Sequence, residues 1–188
     1  MQQQKRQITF LKREEVESII SAIKPKKWQD LRDIALLEVL FSTGLRIAEC
    51  LNLPDAPFVS TKKEGRANTV ELSIMGKGNR QRTVYFSPRA LRAIRKYIKA
   101  RKDADILLFP FTPRLAQLLI KKRAQEAGID KPVTPHTFRH SFATDLLRKG
   151  VDIRIVGEFL GHRSLLNTMR YTHIVNEQLK EIHAKLYT

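Results

Sequence analysis

The stretch Thr69-Val70-Glu71-Leu72-Ser73-Ile74-Met75-Gly76-Lys77-Gly78-Asn79 is where the pattern of the chain changes. Val70, Leu72 and Ile74 alternate with polar residues, the period of a half-buried strand. Gly76-Lys77-Gly78-Asn79 reads as a hairpin turn, and Thr83–Phe86 continues in β-rich composition. On both sides of this hairpin the period is helical. Residues 12–24 carry Val16, Ile19, Ile20 and Ile23 on one stripe, and Pro25 ends that helix. Residues 29–42 carry Leu31, Ile34, Ala35, Leu37, Leu40 and Phe41, an apolar surface broad enough to demand deep burial. Thr43-Gly44 breaks this second helix, a short one runs from Leu45 to Leu51, and Pro54 and Pro57 mark a loop. Downstream, Ser87-Pro88 opens a helix to Lys102, with Ser as N-cap and Pro in the first turn. Thr112-Pro113 and Gly128 bound the next helix, and Thr134-Pro135 and Gly150 the one after. Residues 152–160 form another, stopped by Gly161. Ser164–Tyr171 reads as a short helix and Asn176–Leu186 as an amphipathic C-terminal one. The predicted architecture is mainly α with one small antiparallel β-sheet (α+β), undivided by any linker.

The chain has 188 residues, and 35 Lys and Arg against 19 Asp and Glu give a formal net charge of +16. Such a surface attracts a polyanion; nucleic acid is the first candidate and an anionic membrane surface the second. No apolar run approaches the roughly 20 residues of a membrane span. The patch from Ile34 to Phe41 is interrupted by Glu38, and the opening MQQQKRQITF has no apolar signal core. The single cysteine, Cys50, cannot form an intramolecular disulfide and reads as a small buried hydrophobe. The expectation is a reduced cytoplasmic protein. The charge is also concentrated: the 27 residues from Gly76 to Lys102 hold ten basic residues and no acidic one. A solvated helix face usually interleaves both signs. Contact with nucleic acid is therefore expected along this run.

Four places offer chemistry. In Pro135-His136-Thr137-Phe138-Arg139-His140, His136 and Arg139 are three apart and share a helix face. His136 and His140 also have metal-ligand spacing, but no H-E-x-x-H motif is present, and Arg139 between them opposes a dication. An anionic oxygen suits this turn better. Arg46, in Gly44-Leu45-Arg46-Ile47-Ala48-Glu49, lies in an apolar setting with Glu49 one turn on, either a structural ion pair or an oriented functional cation. Lys77 sits at the hairpin tip between two glycines, outside any P-loop frame. Finally, Leu160-Gly161-His162 is followed nine residues later by Tyr171, in Met169-Arg170-Tyr171-Thr172-His173.

Taken together, these segments resemble the catalytic domain of tyrosine recombinases, the phage-integrase and Xer-like site-specific recombinases. The resemblance rests on Thr43–Glu49, Gly76–Arg80, His136–Thr144, Leu160-Gly161-His162 and Tyr171-Thr172-His173, in the family's order, and extends from about Leu11 onward. It implies a DNA strand transferase that works through a covalent 3′-phosphotyrosyl intermediate without a metal or other cofactor. Tyr171 matches the nucleophile. Arg46 and Arg139 match the arginines that clamp the phosphate, and His162 a further hydrogen-bond donor to it. His136 matches the residue that manages the nucleophile's proton, and Lys77 the acid that protonates the leaving 5′-oxygen. Glu49 matches an acidic position that supports the arginines. Arg80, Arg82, Arg89, Arg92, Arg95, Lys96 and Lys99 are expected to grip the DNA backbone. A type IB topoisomerase uses a similar residue set, and a non-catalytic DNA-binding regulator on the same fold is the alternative outside enzymes. The latter would be expected to have lost one of these residues.

Against that family pattern, residues 1–10 read as an extension or linker remnant, 11–175 as the catalytic domain and 176–188 as a C-terminal helix. Most members carry a further N-terminal helical domain. The chain is expected to be either an excised catalytic domain or a naturally short member. Asp145 stands where many relatives carry His. The C-terminal helix places Val175, Leu179, Ile182 and Leu186 at helical spacing. In the family such a segment docks on a neighbouring subunit, so a free monomer and a homotetramer on double-stranded DNA are expected, away from any membrane.

Overall fold

The computed structural model describes residues 9–59, 70–76, 80–162, 164 and 168–186. Helices α1 (Arg13–Ala22), α2 (Trp28–Thr43), α3 (Ile47–Leu51) and α4 (Ala56–Val59) precede strands β1 (Val70–Gly76) and β2 (Arg80–Phe86). Helices α5 (Pro88–Ala100), α6 (Pro113–Glu126), α7 (Pro135–Arg148), α8 (Ile153–Leu160) and α9 (Thr172–Leu186) follow. The fold is a helical one with a two-stranded antiparallel sheet on its flank, paired from Val70 with Phe86 to Gly76 with Arg80.

The helix starts are chemically specified. Ser87 Oγ accepts the Ala90 N–H at 3.1 Å, Thr112 Oγ1 that of Leu115 at 3.3 Å and Thr134 Oγ1 that of Thr137 at 3.2 Å. Each is followed by a proline that has no N–H to leave unpaired. Helix α2 is buried along most of its length, including Ala35, Leu36, Leu37, Val39 and Leu40, and packs along α5 and α7. Its cluster takes in α1, α3, the inner face of β2, α5 and α6. A second cluster joins Phe142, Ala143 and Leu147 of α7 to Val156 and Leu160 of α8, and to Tyr171 and Ile174. Cys50 is buried, and burial pushes its thiol up, which keeps it protonated and inert.

Four predicted boundaries differ from the structure. Strand β2 begins at Arg80, three residues before the β-rich run, because pairing with β1 supplies what the polar Arg80-Gln81-Arg82 lacks in propensity. The Pro54–Pro57 loop contains α4, a single turn that buries Phe58 edge-on to Phe86 at 5.0 Å. Between Ser164 and Tyr171 the described residues contain only a 3₁₀ turn, Met169–Tyr171, and Ser164 itself lies in a bend. Helix α9 starts at Thr172, not Asn176, so the 175/176 boundary falls inside a continuous helix. No Gly or Pro lies between Tyr171 and Asn176 to stop the 3₁₀ turn from running on into it. The hairpin tip, Lys77–Asn79, lies outside the described residues. Among those described, no helix is long and apolar enough to cross a membrane.

Gly44 joins the two clusters. It caps α2 in the left-handed conformation, with φ 62°. A Cβ there would come within 2.3 Å of the Phe142 ring. Gly44→Ala therefore meets left-handed strain of about 1–2 kcal/mol and overpacking of about 1–3 kcal/mol together. A loss of about 2–5 kcal/mol is expected in urea denaturation, whereas Gly128→Ala, which meets nothing within 4 Å, should lose only the conformational part.

Candidate active site

The site forms where the C-terminal ends of α2 and α8 meet the first turns of α7. Arg139 is 6% exposed, yet no carboxylate is bonded to it among its described contacts. Its guanidinium donates to the Gly44 carbonyl and to the Leu160 carbonyl, both at 2.6 Å. Burial first, then the neighbouring charges of Arg46 and Arg82, lower its pKa to about 10 against the opposing effects of Glu49 and Tyr171. It remains a cation at neutral pH.

Glu49 organises the other two guanidiniums. At the third position of α3, it accepts the Arg46 backbone N–H at 2.8 Å and so caps its own helix. Arg46 Nη1 donates to Oε1 at 2.9 Å. Arg82 adds a two-pronged pair, Nη1 to Oε1 at 3.0 Å and Nη2 to Oε2 at 2.7 Å. Burial alone would raise this carboxyl, but the bonds from Arg82 and Arg46 hold it at about 2. Arg82 reaches this place across Gly161, whose absent side chain leaves the room: a Cβ there would lie 3.0 Å from Arg82 Cδ and Nη1. The sequence reading assigned Arg82 to the DNA backbone; the structure places it on Glu49.

His162 follows Gly161 and hydrogen-bonds through Nδ1 to Thr168 Oγ1 at 2.9 Å. Thr168 is fully buried, and a side chain at Gly157 would press on its hydroxyl, at 3.1 Å. With the Thr168 hydroxyl donating, the imidazole carries its proton on Nε2, the tautomer that can donate to an oxyanion. Tyr171 is 1% exposed. Its Oη lies 2.6 Å from Nδ1 of His140, with the two rings edge to face at 5.8 Å. The pattern of His136 and Arg139 pointed to His136 for this neighbourhood. His136 instead stands exposed in the first turn of α7. One helical turn, about 6 Å of rise over four residues, separates what the two imidazoles can reach.

The remaining predicted residues divide. Arg92, Arg95, Lys96 and Lys99 project from the exposed face of α5. Arg89, on the same face, pairs with Glu38 and, at 3.4 Å, with Glu17. Lys77 and the Arg80 side chain lie outside the described residues. Among the described residues, no three His, Cys, Asp or Glu side chains gather as a metal site. Sequence reasoning missed the contacts of His140 with Tyr171, of Arg82 with Glu49 and of Thr168 with His162. His140 had a signal, its place in the His136–His140 segment; Thr168 had none.

Two guanidiniums, Arg46 and Arg82, share one carboxylate, Glu49, and a third, Arg139, lies near enough to feel the charges of all three without a bond to the carboxylate. The cluster thus carries an excess of two positive charges, an arrangement that suits a bound oxyanion. Glu49 also sets a pH dependence. Its carboxyl is depressed from 4.5 to about 2, so its stabilisation is full above pH 4.5 and is lost as pH falls toward 2. Glu49→Gln is expected to lower the melting temperature at pH 6, and the gap from the unaltered protein should narrow on acidification to pH 2.5. Melts followed by circular dichroism across this range check it.

The family model described as "Phage integrase family" matches residues 9–178. "Tyrosine recombinase XerD" of Corynebacterium glutamicum is 43% identical over 164 residues, which is 81% of this chain and 52% of that protein. "Tyrosine recombinase XerC" of Leptospira interrogans is 37% identical over 167 residues, 84% of this chain and 51% of that protein. The chain thus spans about half the length of these curated relatives. The crystal structure of XerA recombinase has a TM-score of 0.76 at 28% identity, covering 96% of this chain and 65% of that one. The catalytic domain of bacteriophage HP1 integrase, at 18% identity, shares the fold with a TM-score of 0.63 over 93% of this chain and 92% of its own. Matched in sequence over nearly its whole length, and in fold by solved recombinases, the chain belongs to the phage integrase family.

Proposed function

We propose that the chain is the catalytic domain of a site-specific DNA recombinase that cleaves and rejoins strands through a 3′-phosphotyrosyl bond to Tyr171. The observation that carries this reading is the buried Tyr171 hydroxyl, placed 2.6 Å from the imidazole that directly follows the buried Arg139 on α7. A phosphodiester approaching its transition state gathers charge on the non-bridging oxygens. Held donors in a water-poor cleft are each worth about 3–4 kcal/mol against that charge. Arg46, Arg139 and His162 are the donors; Arg82 and Glu49 fix Arg46 from behind. A free phenol ionises near 10, so a bare tyrosinate at pH 7 would cost about 4 kcal/mol. Neighbouring guanidiniums and a proton acceptor reduce that cost. Lys77, on the hairpin whose β2 strand is moored by Arg82, would protonate the departing 5′-oxygen. A second strand's 5′-hydroxyl then attacks the phosphotyrosyl bond and restores the tyrosine.

Relatives named recombinases support DNA as the partner, and the solved structure of XerH site-specific recombinase is bound to palindromic difH substrate. The exposed cations of α5 would hold backbone phosphates beyond the scissile one. The assembly on DNA is proposed to be a homotetramer that exchanges the C-terminal helix, with a monomer when free. The helix α9 is rooted by the buried Ile174 and ends with Leu186 exposed. Acting on DNA, the chain is inferred to work in the cytoplasm.

A nicked suicide duplex, recovered by covalent capture from a randomised pool, should give a protein–DNA adduct on a denaturing gel. Tyr171→Phe should abolish the adduct, and persistence of the adduct in that variant would overturn the assignment. Lys77→Ala should be slow on this duplex and recover when the leaving 5′-oxygen is replaced by sulfur, since a thiolate departs without an acid. Binding to the duplex should fall about 10³–10⁵-fold between 50 and 200 mM salt, for a surface that neutralises six to ten phosphates.

A further inference from the structure

We propose that Thr168 is a positioning residue: its hydroxyl fixes the His162 ring so that Nε2–H is presented to the DNA phosphate, and its backbone sets the turn that carries Tyr171. The proposal rests on the strand-transfer reading and deepens it. Thr168 has no exposed surface. Its Oγ1 lies 2.9 Å from His162 Nδ1. Its carbonyl accepts the Tyr171 N–H at 3.0 Å, at the 3₁₀ turn Met169–Tyr171. His162 is anchored from the other direction as well, since its backbone N–H donates to the Gly157 carbonyl at 3.0 Å. Gly157, His162, Thr168 and Tyr171 thus form one hydrogen-bonded chain from α8 to the nucleophile. Because a single residue holds both the ring and the turn, the phosphate donor and the nucleophile are registered against each other.

Gly157 makes room for this chain. A Cβ on it would lie 3.1 Å from Thr168 Oγ1 and 4.0 Å from Cβ and Cγ2. A glycine inside a helix costs about 1 kcal/mol relative to alanine, and here it lets the hydroxyl sit against α8. The direction of the Thr168–His162 bond follows from what each atom lacks. Among the described residues the Thr168 hydroxyl has one hydrogen-bond partner, Nδ1. A buried O–H without an acceptor costs about 1–3 kcal/mol, and donation to Nδ1 avoids that cost. Nδ1 then carries no proton, and a neutral imidazole holds its proton on Nε2. In this state the ring donates to a non-bridging phosphate oxygen. The opposite tautomer would turn a lone pair toward that oxygen and repel it. The same bond selects one ring orientation, since a half-turn about χ2 would bring a carbon to the hydroxyl.

Two readouts test this, and one needs no activity. Nitrogen-15 spectra at pH 8, where an ordinary imidazole is neutral, report which ring nitrogen of each histidine is protonated, and His162→Ala identifies the His162 signal. His162 should be a single Nε2–H tautomer in the unaltered chain and in Thr168→Ser. Thr168→Val keeps the shape and removes the hydroxyl, so a share of Nδ1–H tautomer should emerge. In adduct formation on the captured nicked duplex, Thr168→Val should be slower by about 10²-fold, the cost of a misplaced group, and Thr168→Ser should recover most of that rate. Added to His162→Ala, Thr168→Val should cause little further loss, because the hydroxyl acts through this ring. An Nδ1–H tautomer in the unaltered chain overturns the proposal. So does a Thr168→Val variant with the full adduct rate, or one whose loss persists undiminished beside His162→Ala, the mark of a purely structural hydroxyl. Should Thr168→Val fail to fold by circular dichroism, the tautomer in the unaltered chain and in Thr168→Ser decides. An unaltered chain that forms no adduct overturns the strand-transfer reading, and the tautomer then judges Thr168 alone.

Discussion

A buried guanidinium held by two helix ends organises this molecule. The last turns of α2 and α8 leave backbone carbonyls without helical partners, and the negative ends of two helix dipoles converge there. Arg139 answers both, through Gly44 and Leu160. An arginine this buried would be costly without them. The arrangement needs α2 to end in a left-handed glycine, because any side chain at position 44 would strike Phe142. It needs α8 to end just before Gly161, because Arg82 passes over that residue. Fold and site are thus one construction: the packing of α7 on α2 and α8 is what aims the cation.

From this anchor the electrostatics follow. Arg139 is left without a carboxylate of its own among its described contacts, while Glu49 is shared between Arg46 and Arg82. A cluster with such a surplus stabilises its own fold less than a balanced one would, and binds an oxyanion better. Arg82 also couples the sheet to this cluster. It lies on the strand leading away from the hairpin tip and is locked to the residue that orients Arg46. The sheet is consequently part of the site's frame rather than an ornament on a helical domain.

Much of this was legible in residue order. The change from period 2 to period 3.6 around Val70–Phe86 separates the sheet from the helices, and Ser87, Thr112 and Thr134, each before a proline, mark three helix starts correctly. The motifs around Arg46, Arg139, His162 and Tyr171 point to a phosphate-directed site before any coordinate is known. The hairpin strand Arg80–Phe86 was longer than its composition suggested, because pairing is a property of two strands and not of one. The start of α9 was misplaced because a tyrosine, threonine and histidine run carries no propensity strong enough to mark where a 3₁₀ turn becomes a helix.

The sequence by itself determined which elements form, where the positive charge concentrates and which side chains could perform phosphoryl chemistry. Only the tertiary structure decided which of two histidines on one face meets the tyrosine, and which of many arginines joins Glu49. The reason is one of scale. A helix repeat places His136 and His140 on the same side, but a hydrogen bond discriminates at tenths of an ångström along an axis where they differ by about 6 Å. Arg82 looks in sequence like its neighbours in an unbroken basic run. Its removal to Glu49 depends on a glycine 79 positions away, at Gly161, brought beside it by the packing of α8 on β2.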